Sequence, residues 1–527
     1  MDGKDGTGMR RTTTSSLLVL LIVSLSAPSA SAATLNGTVK LGGIVLDQSG
    51  DRSTVQETYN VFDGFSVNQV YLNGTSNASD HFMLDLREIN LDSRKGSIVY
   101  RRPGVFKLTA RYDQHRQLFV PDSDVNSQRK DWKVGAQFSP ADWLSVTADF
   151  DYLTRDGTRA SFPPGTLGVL GTEYDNVLQV GRVSVQADRD RIGGGFAYSI
   201  SDFSDELNSD ADRRGHVVSA RLHAPCFVYD RWTHLLRGAY GISKLSNDDI
   251  DNEFLSFRYT GIIAPWRPLQ FKYTFDASRV DDESTELKTD RFQNIVDGTV
   301  FYRFGQFSGG YVYETNDDDR LLTHYHGWRA GTVFRFGRLV TAKVNYAGRN
   351  KKDEEELTLL KDVESNRVRA RFQVQPLDAF AVGGSYSRRD REFPDIRVET
   401  EGDVVTGFTR YSLAGWGAAS GEYSHSEDTF DDRISRFKTR SDIVTGRIDL
   451  DRFGDLRLGG GVTYLDIGGD LDIEKSMFFV EGSYALQENY HVEVKYQVYN
   501  YDDYVLLDRY YTANVVWFNF GYDFDLK

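Results

Sequence analysis

The chain closes on VVWFNFGYDFDLK, where Val516, Phe518, Phe520, Tyr522, Phe524 and Leu526 alternate with Trp517, Asn519, Gly521, Asp523, Asp525 and Lys527. Successive side chains of a strand point to opposite sides, so this spacing predicts one aromatic face and one polar, acidic face. The same period of two recurs in YHVEVKYQVY, where Tyr490, Val492, Val494, Tyr496 and Val498 oppose His491, Glu493, Lys495 and Gln497. In FKLTARYD, Phe106, Leu108, Ala110 and Tyr112 oppose Lys107, Thr109, Arg111 and Asp113. LSVTADFDY from Leu144, FKYTFDAS from Phe271, VTAKVNYA from Val340 and LRLGGGVTY from Leu456 repeat it. A helix, with its period of 3.6, would scatter both faces.

Two kinds of connection alternate between these segments. Compact ones include RRPGVF at Pro103, SPADW at Pro140, APCFVYDRW at Cys226, APWRP at Trp266, RFGRL at Gly337 and DRFGDL at Gly454, recurring about every 38 residues. The longer ones are polar and acidic: NDDIDNE, VDDESTE, NDDD, KKDEEE and EDTFDD, together with LTRDGTRASFPPGTLGVLGTE after Tyr152. Short turns on one side and longer polar loops on the other predict a large antiparallel transmembrane β-barrel, all-β, with short periplasmic turns and longer extracellular loops. The spacing gives about 26 strands, with 22 to 28 tolerable, and brings both chain ends to the periplasmic side. A secreted propeller or sandwich repeats at similar spacing, but its second face would not carry Lys, Arg, Asp and Glu so regularly.

Composition sharpens this picture. Arg10 and Arg11, an apolar run from Leu17 to Leu25, and APSASAA with Ala30 and Ala32 read as a signal peptide over residues 1–32, leaving 33–527 as a single barrel domain. Asp2 and Asp5 are unusual in such a leader and make Met9 a candidate start. The mean hydropathy of −0.46 looks soluble, yet alternating lipid-facing and water-facing residues average to such a value in a barrel. A net charge of −15 argues against a nucleic-acid partner. The single cysteine, Cys226, excludes an internal disulfide framework and covalent c-type haem in this chain, so no cofactor is expected here.

Several residues follow as candidates. Gly521, Phe524 and Leu526 resemble the C-terminal insertion signal read by the barrel assembly machinery, with Lys527 a small departure. Trp143, Trp232, Trp266 and Trp416 lie in or beside short turns and suit an interface girdle against lipid and lipopolysaccharide. Lys107, Arg111, Asp149, Lys272, Lys343, Arg457, Glu493 and Lys495 fall on the polar face and are candidate lumen-wall residues. A barrel this wide needs something in its bore, because barrels of about 22 strands already hold a plugged lumen. Strand-like sequence begins directly after the leader, and the irregular stretch from Asp47 to Asp80 is too small for a plug. The external loops, mostly about 7 to 20 residues, are too short to fold inward and close it. The expected occupant is another protein.

The segment DLREINLDSRKGSIVYRRPGVFKLTARYDQHRQLF, from Asp85 to Phe119, together with the repeat layout and barrel size, resembles the MtrB/PioB family. That resemblance implies the porin component of an extracellular electron-transfer conduit: an outer-membrane barrel that sheathes a periplasmic multihaem c-type cytochrome, of the decahaem kind, with an extracellular cytochrome as a further partner. Haem would then be expected only in the partner. Some members carry a Cys-x-x-Cys near the mature N-terminus, which this chain lacks. The alternative is a passive or substrate-selective outer-membrane porin.

Smaller signals add little. His324 and His326 fall on one strand face without a third ligand, and a wet wall accommodates them as ordinary polar residues. The LGGG from Leu458 lacks the helix of a phosphate-binding loop and is read as a thin or bendable stretch of wall. No enzymatic cluster can be assembled, and an enzyme is not expected.

Overall fold

The computed structural model describes Ala33 to Leu526 apart from residues 51–62, 77–79, 119–125, 162–169, 246–250, 354–361 and 506–509, and residues 92, 227, 230, 284–285, 319–320, 414 and 433 within other connections. The signal peptide expected over residues 1–32 therefore lies outside the described residues. The strands begin with β1 (Ala33–Gly50), β2 (Gly64–Ser76), β3 (Asp80–Arg87), β4 (Arg94–Arg102), β5 (Phe106–Leu118), β6 (Asn126–Ala141), β7 (Leu144–Ser161), β8 (Leu170–Arg189) and β9 (Ile192–Asp205). They continue as β10 (Arg213–Pro225), β11 (Trp232–Leu245), β12 (Asp251–Trp266), β13 (Leu269–Asp282), β14 (Leu287–Tyr302), β15 (Gly305–Asp317), β16 (Leu322–Phe336), β17 (Val340–Asp353) and β18 (Asp362–Leu377). The last are β19 (Phe380–Phe393), β20 (Val398–Ser412), β21 (Gly417–Asp431), β22 (Arg436–Phe453), β23 (Leu456–Gly469), β24 (Ile473–Gln487), β25 (Tyr490–Asp503) and β26 (Tyr510–Leu526).

Each strand pairs antiparallel with its neighbours in sequence, and β1 pairs with β26, closing one 26-stranded barrel. Ala33 and Leu526 lie on the rim of short turns, as the alternation of connections implies. Glycines with left-handed backbones, Gly337 (φ 55°) and Gly454 (φ 67°), make two of those turns possible, because a side chain there would be strained. For 26 strands about 4.8 Å apart and tilted about 40°, the backbone circle is about 50 Å across.

Two expectations about boundaries are corrected. Most strands run 13 to 20 residues, so the acidic runs placed in loop tips lie partly within strands: β15 takes in Asp317, β17 Asp353 and β21 Asp431. Past the lipid both faces see water, and the apolar alternation that marks a strand disappears while its ladder continues. Within the stretch Asp47 to Asp80 the described residues are likewise mostly strand, since β1 extends to Gly50 and β2 fills Gly64–Ser76. A bulge hides β2: the register steps from Lys40↔Gln69 to Leu41↔Val67, and the extra residue breaks the period of two.

The densest packing lies on the inner side of the β1–β26 seam. Ile44, Tyr499, Tyr511, Ala513 and Val515 all have inward parity and are buried there with Leu91. Leu91 belongs to the turn between β3 and β4, which hydrogen-bonds along β2 from Glu88 N to Asn68 O and from Ile89 N to Val67 O. Because β3 has only eight residues, its turn folds inward at mid-wall and covers those side chains. One connection thus reaches inside, although it covers only a patch of wall and does not close the bore.

Candidate functional site

The pairing registers sort every strand residue onto one of two faces. The outer face is apolar and aromatic, with large hydrophobics such as Phe271, Phe307, Phe372 and Phe518 each more than 40 % exposed, as lipid contact requires. The inner face is polar. Lys107, Arg111, Asp149, Lys272, Lys343, Arg457, Glu493 and Lys495 all carry inner-face parity. Glu493 pairs with Lys40 across the seam at 2.6 Å, and Arg111 reaches Asp113 at 3.4 Å. The Lys495 ammonium sits 5.0 Å from the Phe479 ring centre and 5.2 Å from that of Trp517. Gly461 makes room for Phe479, since a Cβ there would come within 2.6 Å of the ring. The LGGG run therefore seats an aromatic group under the lumen cations.

Much of the inner wall is charge-compensated. Arg258 meets Asp276; Arg329 meets Asp297; Arg447 bridges Asp449 and Glu481, both at 2.9 Å. Glu314, buried among its neighbours, accepts from Arg291 at 2.9 Å and from Gln293 at 2.7 Å, with Arg349 at 3.5 Å. A concavity of about 720 Å³ lies between this wall and the inward turn, bordered by Arg87, Leu91, Arg457, Glu481, Lys495 and Trp517. Among the described residues, no group of three or more His, Cys, Asp or Glu is placed to hold a metal ion.

The membrane boundaries are marked on the outer face. Trp143 and Trp416 lie in short turns, Trp232 opens β11 and Trp266 closes β12, all on the short-turn rim. A second boundary escapes the sequence reading. Tyr198, Tyr240, Tyr273, Tyr311, Tyr346, Tyr386, Tyr423, Tyr464 and Tyr496 lie on successive ascending strands from β9 to β25, each near the middle of its strand. Eight of these hydroxyls bond a polar side chain on the next strand: His216, Glu253, Asn294, His326, Asn366, Asp403, Asp442 and Asn514 respectively, with Tyr464 as the exception. Each partner lies two residues before the one directly opposite the tyrosine, and that opposite residue is apolar, as in Val218↔Tyr198 and Val516↔Tyr496. Each of these eight rings thus stands on the last apolar step and its hydroxyl on the first polar one, where an amphipathic ring is most stable. From Asn294 to Tyr302 on β14 the band between the boundaries is about 20 Å tall, and the side chains at each edge bring it near the usual 25 Å. The signal was present as tyrosines recurring at the hairpin period.

His324 and His326 belong to this outer boundary and not to a wet inner wall. His326 shares a hydrogen bond with Tyr311 at 2.6 Å and His324 with Tyr313 at 3.1 Å. Gly521 lies beneath the His491 ring on the inner face, while Phe524 and Leu526 face outward at the end of β26. Cys226 is half-buried in the short connection between β10 and β11.

No protein-family model and no curated protein matches this chain. Among solved structures, it is similar to the FrpB iron transporter from Neisseria meningitidis (TM-score 0.52, 9 % identity, 93 % of this chain and 81 % of that one). It also aligns with the siderophore receptor PirA from Pseudomonas aeruginosa (TM-score 0.48, 10 % identity, 94 % and 81 %). At such identity the likeness to FrpB speaks for the fold alone, that of a large outer-membrane β-barrel.

Proposed function

We propose that this barrel is a sheath: it encloses a periplasmic multihaem c-type cytochrome and so supports electron transfer across the outer membrane, as the resemblance to the MtrB/PioB family implies. The observation that carries the reading is the size of the closed wall and the wetness of its inner face. A ring of 26 strands about 50 Å across leaves roughly 30–40 Å once inward side chains are subtracted, and a 100-residue domain is about 34 Å across. The bore therefore fits a folded guest, and its charged inner face suits a protein surface better than lipid. In this role the chain does no redox chemistry. It keeps lipid away from the haem chain and fixes the guest across the membrane, while the two aromatic boundaries fix the depth of the barrel.

Native extraction in mild detergent, followed by a haem stain of the purified material, tests this. A haem-bearing protein in near-equal amount to the barrel is expected. Barrel that comes through intact without haem protein, and conducts ions freely in a planar bilayer, would instead be a porin.

A further inference from the structure

Charge is segregated on β16 to β20 as on no other run of the compensated wall described above. The inner face there carries two Lys or Arg residues on β16, three on β17, three on β18, two on β19 and one on β20. Among the described side chains of these strands, no carboxylate has inward parity. Glu364, Asp390, Glu401 and Asp403 all have outward parity. Among the ion pairs of the described residues, carboxylates that touch this stripe come from neighbouring strands at its margins: Asp297 to Arg329, Glu314 to Arg349, and Asp428 to Arg389.

Register makes the stripe costlier still. Lys343 stands directly opposite Arg371, and Arg367 directly opposite Arg389. Like charges in such positions repel and lower sheet stability. Arg367, Arg369 and Arg371 are exposed toward the lumen, and among the described residues no carboxylate comes within ion-pair distance of them. Facing cations occur elsewhere on the inner wall, as at Arg221↔Arg237 and Arg111↔Lys133, but packing of the barrel does not account for so long a run of inner-face cations with so few inward carboxylates among them. An anionic surface set against them would.

We infer that the inner face of β16–β20 is the docking wall for an acidic face of the guest, which holds that guest in one rotational setting against one side of the bore. The inference rests on the sheath reading above and adds the charge of the partner's surface and the strands it meets. Opposed charge across a sheltered interface fixes register and partner choice more than raw affinity. The guest's complementary face would accordingly be rich in Asp, Glu or haem propionates.

The test uses the complex purified from outer membranes. In the triple variant Arg367→Gln, Arg369→Gln, Arg371→Gln, guest retention near physiological ionic strength should fall about tenfold or more. The matched triple Arg182→Gln, Arg221→Gln, Arg237→Gln removes three inner-face cations elsewhere and should retain the guest at the wild-type level. Heat-modifiable migration reports that each barrel has assembled. Should the stripe variant not assemble, wild-type complex alone decides: haem protein must be released progressively as salt rises. Equal retention in both triples, or release indifferent to salt, overturns the docking wall and leaves the sheath standing. Wild-type barrel without haem protein overturns the sheath and the docking wall with it.

Discussion

Tyr423→Phe isolates what the outer tyrosine ring contributes. Tyr423 donates to Asp442 at 2.6 Å, His425 meets the same carboxylate oxygen at 2.8 Å, and Arg440 donates to the other oxygen at 2.8 Å. Phenylalanine keeps the ring at the same depth and removes only the hydroxyl. A hydrogen bond to a charged acceptor contributes about 1.5–3 kcal/mol. Asp442 is sheltered, with 15 % of its side chain exposed, whereas Tyr423 is 45 % exposed, so a value around or just below the lower end of that range applies: about 1–2 kcal/mol. Tyr464→Phe is the internal reference, because Tyr464 occupies the same level and makes no side-chain hydrogen bond among the described residues; its cost should stay within about 0.5 kcal/mol. Reversible urea unfolding in bilayers reads the difference. With a slope of about 2 kcal/mol per molar, Tyr423→Phe should lower the midpoint by roughly 0.5–1 M without changing the slope. Equal shifts for the two variants would refute the reasoning, since the ring would then act by depth alone. So would a Tyr423→Phe effect that persists undiminished on an Asp442→Asn background.

Two further outcomes follow from the seam and the rim. Gly521→Ala places a Cβ 2.1 Å from the His491 ring, so the yield of heat-modifiable, closed barrel should drop sharply and recover when His491→Ala is added; wild-type yield from the single variant would contradict the packing. Cys226, half-buried on the short-turn rim, should react with a membrane-impermeant maleimide only after the outer membrane is permeabilised; labelling in intact cells would invert the barrel's orientation.

Alternation made the fold readable because lipid on one side and water on the other impose opposite demands on successive residues. Where that contrast holds, as from Phe106 to Tyr112 or from Tyr490 to Tyr496, strand and face could be assigned residue by residue. It vanishes at Asp317, Asp353 and Asp431, where strands continue into water on both sides, and it slips at the bulge beside Asn68. The inward turn at Leu91 was illegible for another reason: its burial depends on Ile44, Tyr499 and Val515, which lie far away in sequence. The docking wall was half visible. Single inner-face cations such as Lys343 could be named, but that Arg371 faces it is a matter of register, which one strand read alone does not carry. The histidine pair shows the reverse failure, since polar side chains suggested the wet face while neighbouring tyrosines hold them at the lipid edge.

The closing pair β1–β26 has a kinetic consequence. Every other pairing joins strands adjacent along the chain, whereas Leu35 must find Leu526 and Thr38 must find Asp523 across 485 residues. The entropy of closing so long a loop is worth roughly 5 kcal/mol beyond its constant part. Hairpins can therefore accumulate quickly and in any order, while the final zip is slow and leaves two sticky margins open until it happens. Whatever is to be enclosed has that interval in which to enter sideways, before the ring shuts around it.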